Sequence, residues 1–281
     1  MPELPEVETV KEALNQTVKG QTIKEIELRY EPMIKNMSAD EFKEKLINQT
    51  IQEVSRRGKY LVFHFDDYQL LSHLRMEGKY FYVDSNFELN SHVHVIFTLE
   101  NGKRLLYQDT RKFGTYHLYD KAIDLETTAP FQVLGLEPFA TEFTPSYVKE
   151  KIQNKKKPIK SLLLDQTIVC GLGNIYVDEV LYRARLHPLT SSSELTDKDI
   201  ENVVKYTVEV LARAIELGGT TIRTFSSSHG VSGTFQNELL VHQRKGENCY
   251  ECHTPIEKIK VGGRGTYFCP TCQKLTVKEM K

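Results

Sequence analysis

No stretch of this 281-residue chain is apolar for long enough to cross a membrane, and its N-terminus lacks the basic-then-apolar order of a secretory signal. A cytoplasmic protein without a membrane partner is therefore expected. Internal repeats and low-complexity tracts are missing too. With 40% hydrophobic and 27% charged residues the composition is that of an ordinary globular protein, long enough for two domains. A net charge of one sign is also missing, since the chain sums to -1. That balance conceals a division: residues 1–144 carry 17 Lys+Arg against 23 Asp+Glu, and residues 145–281 carry 20 against 15. An acidic first half and a basic second half place polyanion contacts mainly in the second.

Cysteine is scarce, yet four of the five form Cys249-x-x-Cys252 and Cys269-x-x-Cys272 with sixteen residues between the pairs. This is the spacing of a four-thiolate zinc site. Two disulfides are the alternative, which cytosolic reduction opposes. Four thiolates leave no open coordination position, so the zinc reads as structural, a staple for a hairpin too small to bury a core. Arg264, set among Gly262, Gly263 and Gly265, would project from that hairpin's tip. Cys170 stands apart and reads as a small buried apolar residue.

The first six residues, Met1-Pro2-Glu3-Leu4-Pro5-Glu6, carry the second chemical signal. Removal of Met1 by an aminopeptidase would leave Pro2 as a terminal secondary amine. Such an amine titrates at about pH 8 against about 10.4 for lysine, so far more of it is neutral and nucleophilic near neutrality. Glu3 and Glu6 beside it suit proton transfer. Leu4, Val7, Val10 and Leu14 recur at helical spacing, placing the amine at the first turn of an amphipathic helix. The helix dipole disfavours an ammonium there and the two glutamates favour one, a conflict that sequence leaves open. A solvated chain end with ordinary helix capping is the competing reading.

To about residue 120 the chain reads mainly as β-structure. Ile26, Leu28 and Tyr30 alternate with charged residues, 60–65 is an aromatic run, and Val93 to Leu99 alternate up to an Asn101-Gly102 turn into 104–107. A helix interrupts at about 39–48. Many short strands with turn signals suggest a sandwich. The pattern lapses over 121–145, where Pro130, Pro138 and Pro145 suggest an interdomain linker. Helices are expected at about 146–154, 158–165, 175–184 and 197–217. Residues 218–236, rich in Gly, Ser and Thr, are too long for a simple connector.

Further residues fall into constellations. Lys59 follows Gly58, whose turn could press the lysine head into a cleft; a solvated hairpin lysine is the alternative. Met76, Arg111 and Phe113 are what is needed to replace an extruded base: an apolar wedge, guanidinium donors for the orphaned partner, and a ring to stack on or prise apart a base step. Burial of Met76 and Phe113 in the core is the alternative. Lys155-Lys156-Lys157-Pro158-Ile159-Lys160 precedes the Gly171-Leu172-Gly173-Asn174 turn, a combination suited to cradling phosphate.

Five motifs in fixed order (Pro-Glu-Leu-Pro-Glu, Arg-Gly-Lys59, Asp-Thr-Arg-Lys-Phe-Gly, Gly-Leu-Gly-Asn174-Ile-Tyr and Gly-Arg264-Gly-Thr within the four-cysteine module) make the chain resemble the bacterial formamidopyrimidine-DNA glycosylases, from Met1 to the last cysteine pair. The resemblance implies an α+β fold with these parts: an N-terminal β-sandwich with flanking helices over 1–130, a linker over 131–145, a helix-two-turn-helix domain over 146–237 with a lesion loop at 218–236, and a zinc-finger β-hairpin over 238–272. It implies a monomeric bifunctional glycosylase and AP lyase that removes oxidised purines from double-stranded DNA and needs one structural zinc as its cofactor. Pro2 would attack the sugar and Glu3 would transfer the proton. Lys59 and Arg264 would serve the elimination steps, with Arg264 also gripping phosphate. His94, Arg111, Lys156, Lys160 and Asn174 match DNA-contacting positions, and Met76, Arg111 and Phe113 match the wedge. The endonuclease VIII-type relatives, which favour oxidised pyrimidines, usually have Gly where this chain has Leu4. A damage-sensing protein without catalysis is the rival class.

Overall fold

The computed structural model describes residues 1–220, 225–226 and 233–275, and its chain divides into two compact units. The first comprises Met1–Gln132 with Leu217–Thr234; the second comprises Val133–Glu216 with Phe235–Lys281.

The first unit opens with helix α1 (Leu4–Val18), whose buried residues Leu4, Val7, Val10, Leu14 and Val18 follow the expected helical spacing. Its N-cap is Glu3, so Pro2 lies one residue before the N-cap rather than in the helix's first turn, and Pro5 takes the early helical position where a missing N–H costs nothing. Strand β1 (Ile23–Leu28), helix α2 (Ala39–Leu46) and strands β2 (Glu53–Arg57), β3 (Tyr60–His64), β4 (Tyr68–His73), β5 (Lys79–Val83), β6 (Val93–Leu99), β7 (Arg104–Gln108) and β8 (Thr115–Asp120) follow. A two-residue strand β9 (Phe225–Ser226) returns to pair parallel with β5.

The strands form two sheets, ordered β1-β6-β7-β5-β9 and β2-β3-β4-β8. Their facing side chains share one core: Ile26, Val95, Phe97, Leu105 and Tyr107 come from the first sheet, and Val54, Leu61, Phe63, Leu70, Tyr116 and Leu118 from the second. This is the expected sandwich, and α1 and α2 add Val7, Leu14, Phe42 and Leu46 to the same core. Each such buried side chain contributes roughly 1.5–3 kcal/mol through removal of apolar surface from water.

The second unit holds helices α3 (Pro145–Ile152), α4 (Ile159–Leu163), α5 (Asn174–Arg183) and α6 (Asp197–Glu216), each within two residues of the expected bounds at its start. Strands β10 (Glu257–Val261) and β11 (Arg264–Phe268) form the hairpin between the cysteine pairs. Its two connecting residues, Gly262 and Gly263, have φ of +55° and +78°, the left-handed pair that closes a two-residue hairpin turn.

The segment read as a linker is not loose. Gly135 N donates to Gln166 O at 2.7 Å and Cys170 N donates to Leu136 O at 3.0 Å, so the chain after residue 133 belongs to the second unit. Gly135 permits this because a Cβ there would lie 2.3 Å from Ile168 O. The lesion loop also differs from the expected division. Its described ends group with the sandwich rather than the helices, joined by the hydrogen bond from Thr234 N to Leu217 O at 2.9 Å. Of the lesion loop expected at 218–236, residues 221–224 and 227–232 lie outside the described residues, and 225–226 are described in backbone only. No helix among the described residues is long and apolar enough to cross a membrane.

Candidate functional site

In the first unit the chain's beginning is enclosed. Pro2, Glu3 and Glu6 are all buried, the two glutamates at 2% exposure. Glu3 and Glu6 cap α1 reciprocally, with Glu3 N donating to Glu6 Oε2 at 2.9 Å. Glu6 Oε1 accepts from Thr220 N at 2.9 Å and from Thr220 Oγ1 at 3.0 Å. Gly219 permits that approach, since a Cβ there would lie 2.7 Å from Glu6 Oε1. Glu6 thus holds the helix start and the entry to the 218–236 segment together.

Lys59 sits in the two-residue turn between β2 and β3 after Gly58, whose φ is +58°. It is 6% exposed, not the solvated hairpin lysine that the bare sequence also allowed. The turn is fastened to α1 through Arg56, which donates to Glu8 Oε2 at 2.7 Å and to Gly58 O at 3.0 Å. Burial raises the Glu8 carboxyl, and hydrogen bonds from Lys11 and Arg56 outweigh it and hold the pKa low. The chain's amine, carried on Met1, has its pKa lowered, mainly by burial; Glu3, Glu6 and Glu77 raise it and Lys59 lowers it. For the Met1 amine, burial outweighs the carboxylates that favour its charged form. The same interactions show that Glu3, Glu6, Lys59 and Glu77 all act on the chain's beginning.

Met76 is half-buried, Arg111 is exposed and Phe113 is 50% exposed, so Met76 and Phe113 are not core residues. The Arg111 guanidinium lies 4.6 Å from the centroid of the Phe113 ring. The loops bearing Met76 and this pair are joined by a hydrogen bond from Thr110 Oγ1 to Glu77 Oε2. His94, expected at the DNA surface, is 2% exposed, with Nε2 2.8 Å from Asp109 O, and braces the Arg111 loop from behind.

The second unit carries the remaining residues. Lys156 is exposed, as expected of a phosphate contact. Lys160 is not: its exposure is 0% and its Nζ donates to Asp178 Oδ1 at 2.7 Å. Pro158, the N-cap of α4, turns the chain so that Lys160 leaves the basic run and points inward. Asp178 Oδ2 also accepts from Tyr267 N at 3.2 Å and lies 2.7 Å from His242 Nδ1. Beside it, the buried Glu179 accepts from the backbone N–H groups of Leu240, Val241 and His242 at 2.8–3.0 Å. Burial pushes the Glu179 carboxyl up despite those bonds. Asn174, the first residue of α5, donates to Gly265 O at 2.9 Å, and Lys160 Nζ reaches the same carbonyl at 3.4 Å. Both fix the hairpin from which the exposed Arg264 projects. Asp178, Glu179 and His242 were not singled out in the sequence; two adjacent acids amid the apolar residues of 175–182 were the available signal.

The four sulfurs of Cys249, Cys252, Cys269 and Cys272 lie within 4.8 Å of one another. Cys249 to Cys272 is 3.9 Å and Cys252 to Cys269 is 3.3 Å. Zinc–sulfur bonds of about 2.3 Å in a tetrahedron put the sulfurs about 3.8 Å apart, so the cluster fits one structural zinc ion.

Comparison with known proteins matches three segments of the chain. Residues 1–116 match the family described as formamidopyrimidine-DNA glycosylase N-terminal domain, 134–226 its H2TH domain, and 246–275 the zinc finger found in FPG and IleRS. The formamidopyrimidine-DNA glycosylase of Bacillus licheniformis is 48% identical over 98% of this chain and 100% of its own length; that of Bacillus subtilis is 48% identical over 97% and 99%. Among solved structures, a mutant Lactococcus lactis FPG in complex with Fapy-dG-containing DNA matches with a TM-score of 0.91, at 43% identity and covering 97% of this chain and 100% of the other. The Lactococcus lactis Fpg complexed with abasic-site DNA matches with a TM-score of 0.90, at 43% identity over 97% and 99%. A sandwich unit, a helical unit and a zinc-stapled hairpin, matched over the whole chain, define a DNA glycosylase and AP lyase of base excision repair. More narrowly, the chain belongs to the formamidopyrimidine-DNA glycosylase family.

Proposed function

We propose that the enzyme acts on oxidised purines such as 8-oxoguanine and formamidopyrimidines in duplex DNA, and on abasic sites, with Pro2 as its nucleophile once Met1 is removed. The Pro2 nitrogen attacks sugar C1′ as the glycosidic C–N bond breaks, and Glu3 moves the proton that the departing base requires. The C1′–O4′ bond then breaks as O4′ takes up a proton, which opens the sugar ring and gives the iminium; the iminium acidifies the C2′ proton, whose loss expels the 3′ phosphate, and a second elimination expels the 5′ phosphate. Lys59 and Arg264 serve these eliminations, with Arg264 also holding phosphate. Met76, Arg111 and Phe113 fill the space left by the extruded base. Lys156 meets the backbone, while His94, Asn174 and Lys160 support loops behind the surface. The enzyme works in the cytoplasm on nucleoid DNA, and each domain supplies part of the DNA contact.

The observation that carries this reading is the enclosed chain start, where Pro2, Glu3 and Glu6 are buried and the Met1 amine, lowered in pKa by burial, feels the charges of Glu3, Glu6 and Lys59. Borohydride reduction of the enzyme on abasic-site duplex should trap a covalent adduct, and Pro2→Gly should weaken trapping at least tenfold on the scale of lost nucleophile activation, about 10²–10⁴ for general acid–base and nucleophilic effects. Absence of an adduct at high enzyme concentration would overturn it. Excision from duplexes carrying 8-oxoguanine, thymine glycol or dihydrouracil opposite cytosine tests the lesion class, and a preference for thymine glycol would refute it.

A further inference from the structure

Two loops carry the wedge. One runs from Leu74 to Gly78, between β4 and β5, and the other from Asp109 to Gly114, between β7 and β8. Because Lys79 pairs with Gln108 across β5 and β7, both loops leave the same end of that strand pair. Each contains a non-glycine residue in the left-handed region: Arg75 with φ of +54°, beside Met76, and Lys112 with φ of +56°, between Arg111 and Phe113. Such backbone persists only where surrounding contacts over-determine it.

For the second loop that contact is Asp109, whose exposure is 0%. Its Oδ1 accepts from Arg111 N at 3.0 Å, and its Oδ2 accepts from Phe113 N and Gly114 N, each at 2.8 Å. A carboxylate offers only acceptors, so it can take three converging amides at once; an asparagine would turn a donor toward one of them. Between the loops stands Tyr107, 1% exposed, whose hydroxyl has no hydrogen-bond partner among the described residues. A Cβ on Gly78 would lie 2.2 Å from that hydroxyl and a Cβ on Gly114 would lie 1.8 Å from it, so the phenol fills the space both glycines leave.

We propose that Asp109 and Tyr107 are positioning residues that set Met76, Arg111 and Phe113 in register with one another, so that the three enter the base stack as one rigid body. This rests on the wedge reading given above. Asp109 fixes the backbone from which Arg111 and Phe113 project, and Tyr107 fixes the spacing of the Met76 loop from theirs. The role differs from fold stabilisation in what it affects: excision from a paired duplex requires the wedge, whereas reaction at a preformed abasic site has no base to extrude.

The test compares Asp109→Asn, Gly114→Ala and Tyr107→Phe/Gly114→Ala with the unaltered enzyme. Three readouts apply: single-turnover excision of 8-oxoguanine paired with cytosine, borohydride trapping on an abasic duplex, and 2-aminopurine fluorescence beside the lesion. Asp109→Asn and Gly114→Ala are expected to slow excision by roughly tenfold more than they slow trapping, the scale of a misplacement of under 1 Å. The 2-aminopurine rise should slow with excision. Tyr107→Phe/Gly114→Ala should recover part of the Gly114→Ala loss, because the hydroxyl is the nearest atom to the added methyl. Equal losses of excision and trapping, or unaltered fluorescence kinetics, would overturn the proposal. Met76→Ala and Phe113→Ala run alongside. If they too leave the fluorescence kinetics unaltered, the wedge reading itself fails; if only they slow it, the positioning role alone fails.

Discussion

Lys160→Met separates a lysine that grips phosphate from one that braces the zinc hairpin. The ammonium lies 2.7 Å from Asp178 Oδ1, with both side chains at 0% exposure. Removing one member of a buried ion pair costs about 3–5 kcal/mol, because the other charge is left uncompensated. Asp178 would keep its contacts with His242 Nδ1 and Tyr267 N, which places the expected loss near the lower end, about 3 kcal/mol. Each phosphate contact adds about 0.9 to the slope of log K against log salt. Lys156→Met, at an exposed position, should therefore lower that slope by about 0.9 while changing stability by no more than about 0.5 kcal/mol. Lys160→Met should do the reverse, leaving the slope and lowering the urea midpoint followed by circular dichroism. Asp178→Asn should cost less in the Lys160→Met background than alone, since no ammonium then remains to be stranded. Fluorescence anisotropy with an abasic duplex across a salt series measures the slope. A fall of about 0.9 in the slope for Lys160→Met, with an unaltered urea midpoint, would refute the bracing role.

Two further outcomes follow from other groups. Burial, followed by Arg75, Lys59 and His117, lowers the pKa of His73 from 6.5 to about 3, so the folded protein keeps it neutral where the unfolded chain protonates it. Unfolding then binds a proton as pH falls from about 6.5 toward 3; stability should drop by about 2 kcal/mol between pH 7 and pH 5, and His73→Gln should flatten that part of the urea-midpoint profile. An unchanged profile in the variant would assign the loss to other groups. Stripping zinc with a chelator should unfold the hairpin, since the buried cluster around the metal site is small, made of Tyr182, Val241, Ile256 and two of the cysteines themselves. Zinc but not magnesium should restore binding of abasic duplex, and binding that survives complete metal removal would contradict the structural assignment.

What the sequence made legible was local or periodic. Alternation located β1 and β6, helical spacing located α1, and the cysteine spacing located the metal site, because each depends on neighbours within a few residues; β2, β4, β5 and β8 carried no comparable local signal. What it hid depended on contacts across the chain. The run of lysines looked like one basic face, but Pro158 redirects Lys160 to an acid eighteen residues further on, and no one-dimensional pattern records that turn. Glu6 was read only as a neighbour of Pro2, because its partner Thr220 lies 214 positions away. Asp109 stood inside a recognised motif without a role, since three converging amides become visible only once the loop has closed.

The misfits share a physical cause. A lysine at 0% exposure, a carboxylate buried on backbone amides, a phenylalanine left 50% exposed and two non-glycine residues at positive φ each oppose what stability alone would select. Buried Lys160 and Asp178 lose hydration that only a fixed geometry offsets, so that pair is tolerated where it holds Gly265 beside Arg264. Phe113 gives up burial of a large ring, an arrangement that suits the proposed cover of a base stack. In both units the local departures from stability rules therefore fall on residues beside those proposed to touch DNA, and the regular sandwich and helices supply the free energy that tolerates them.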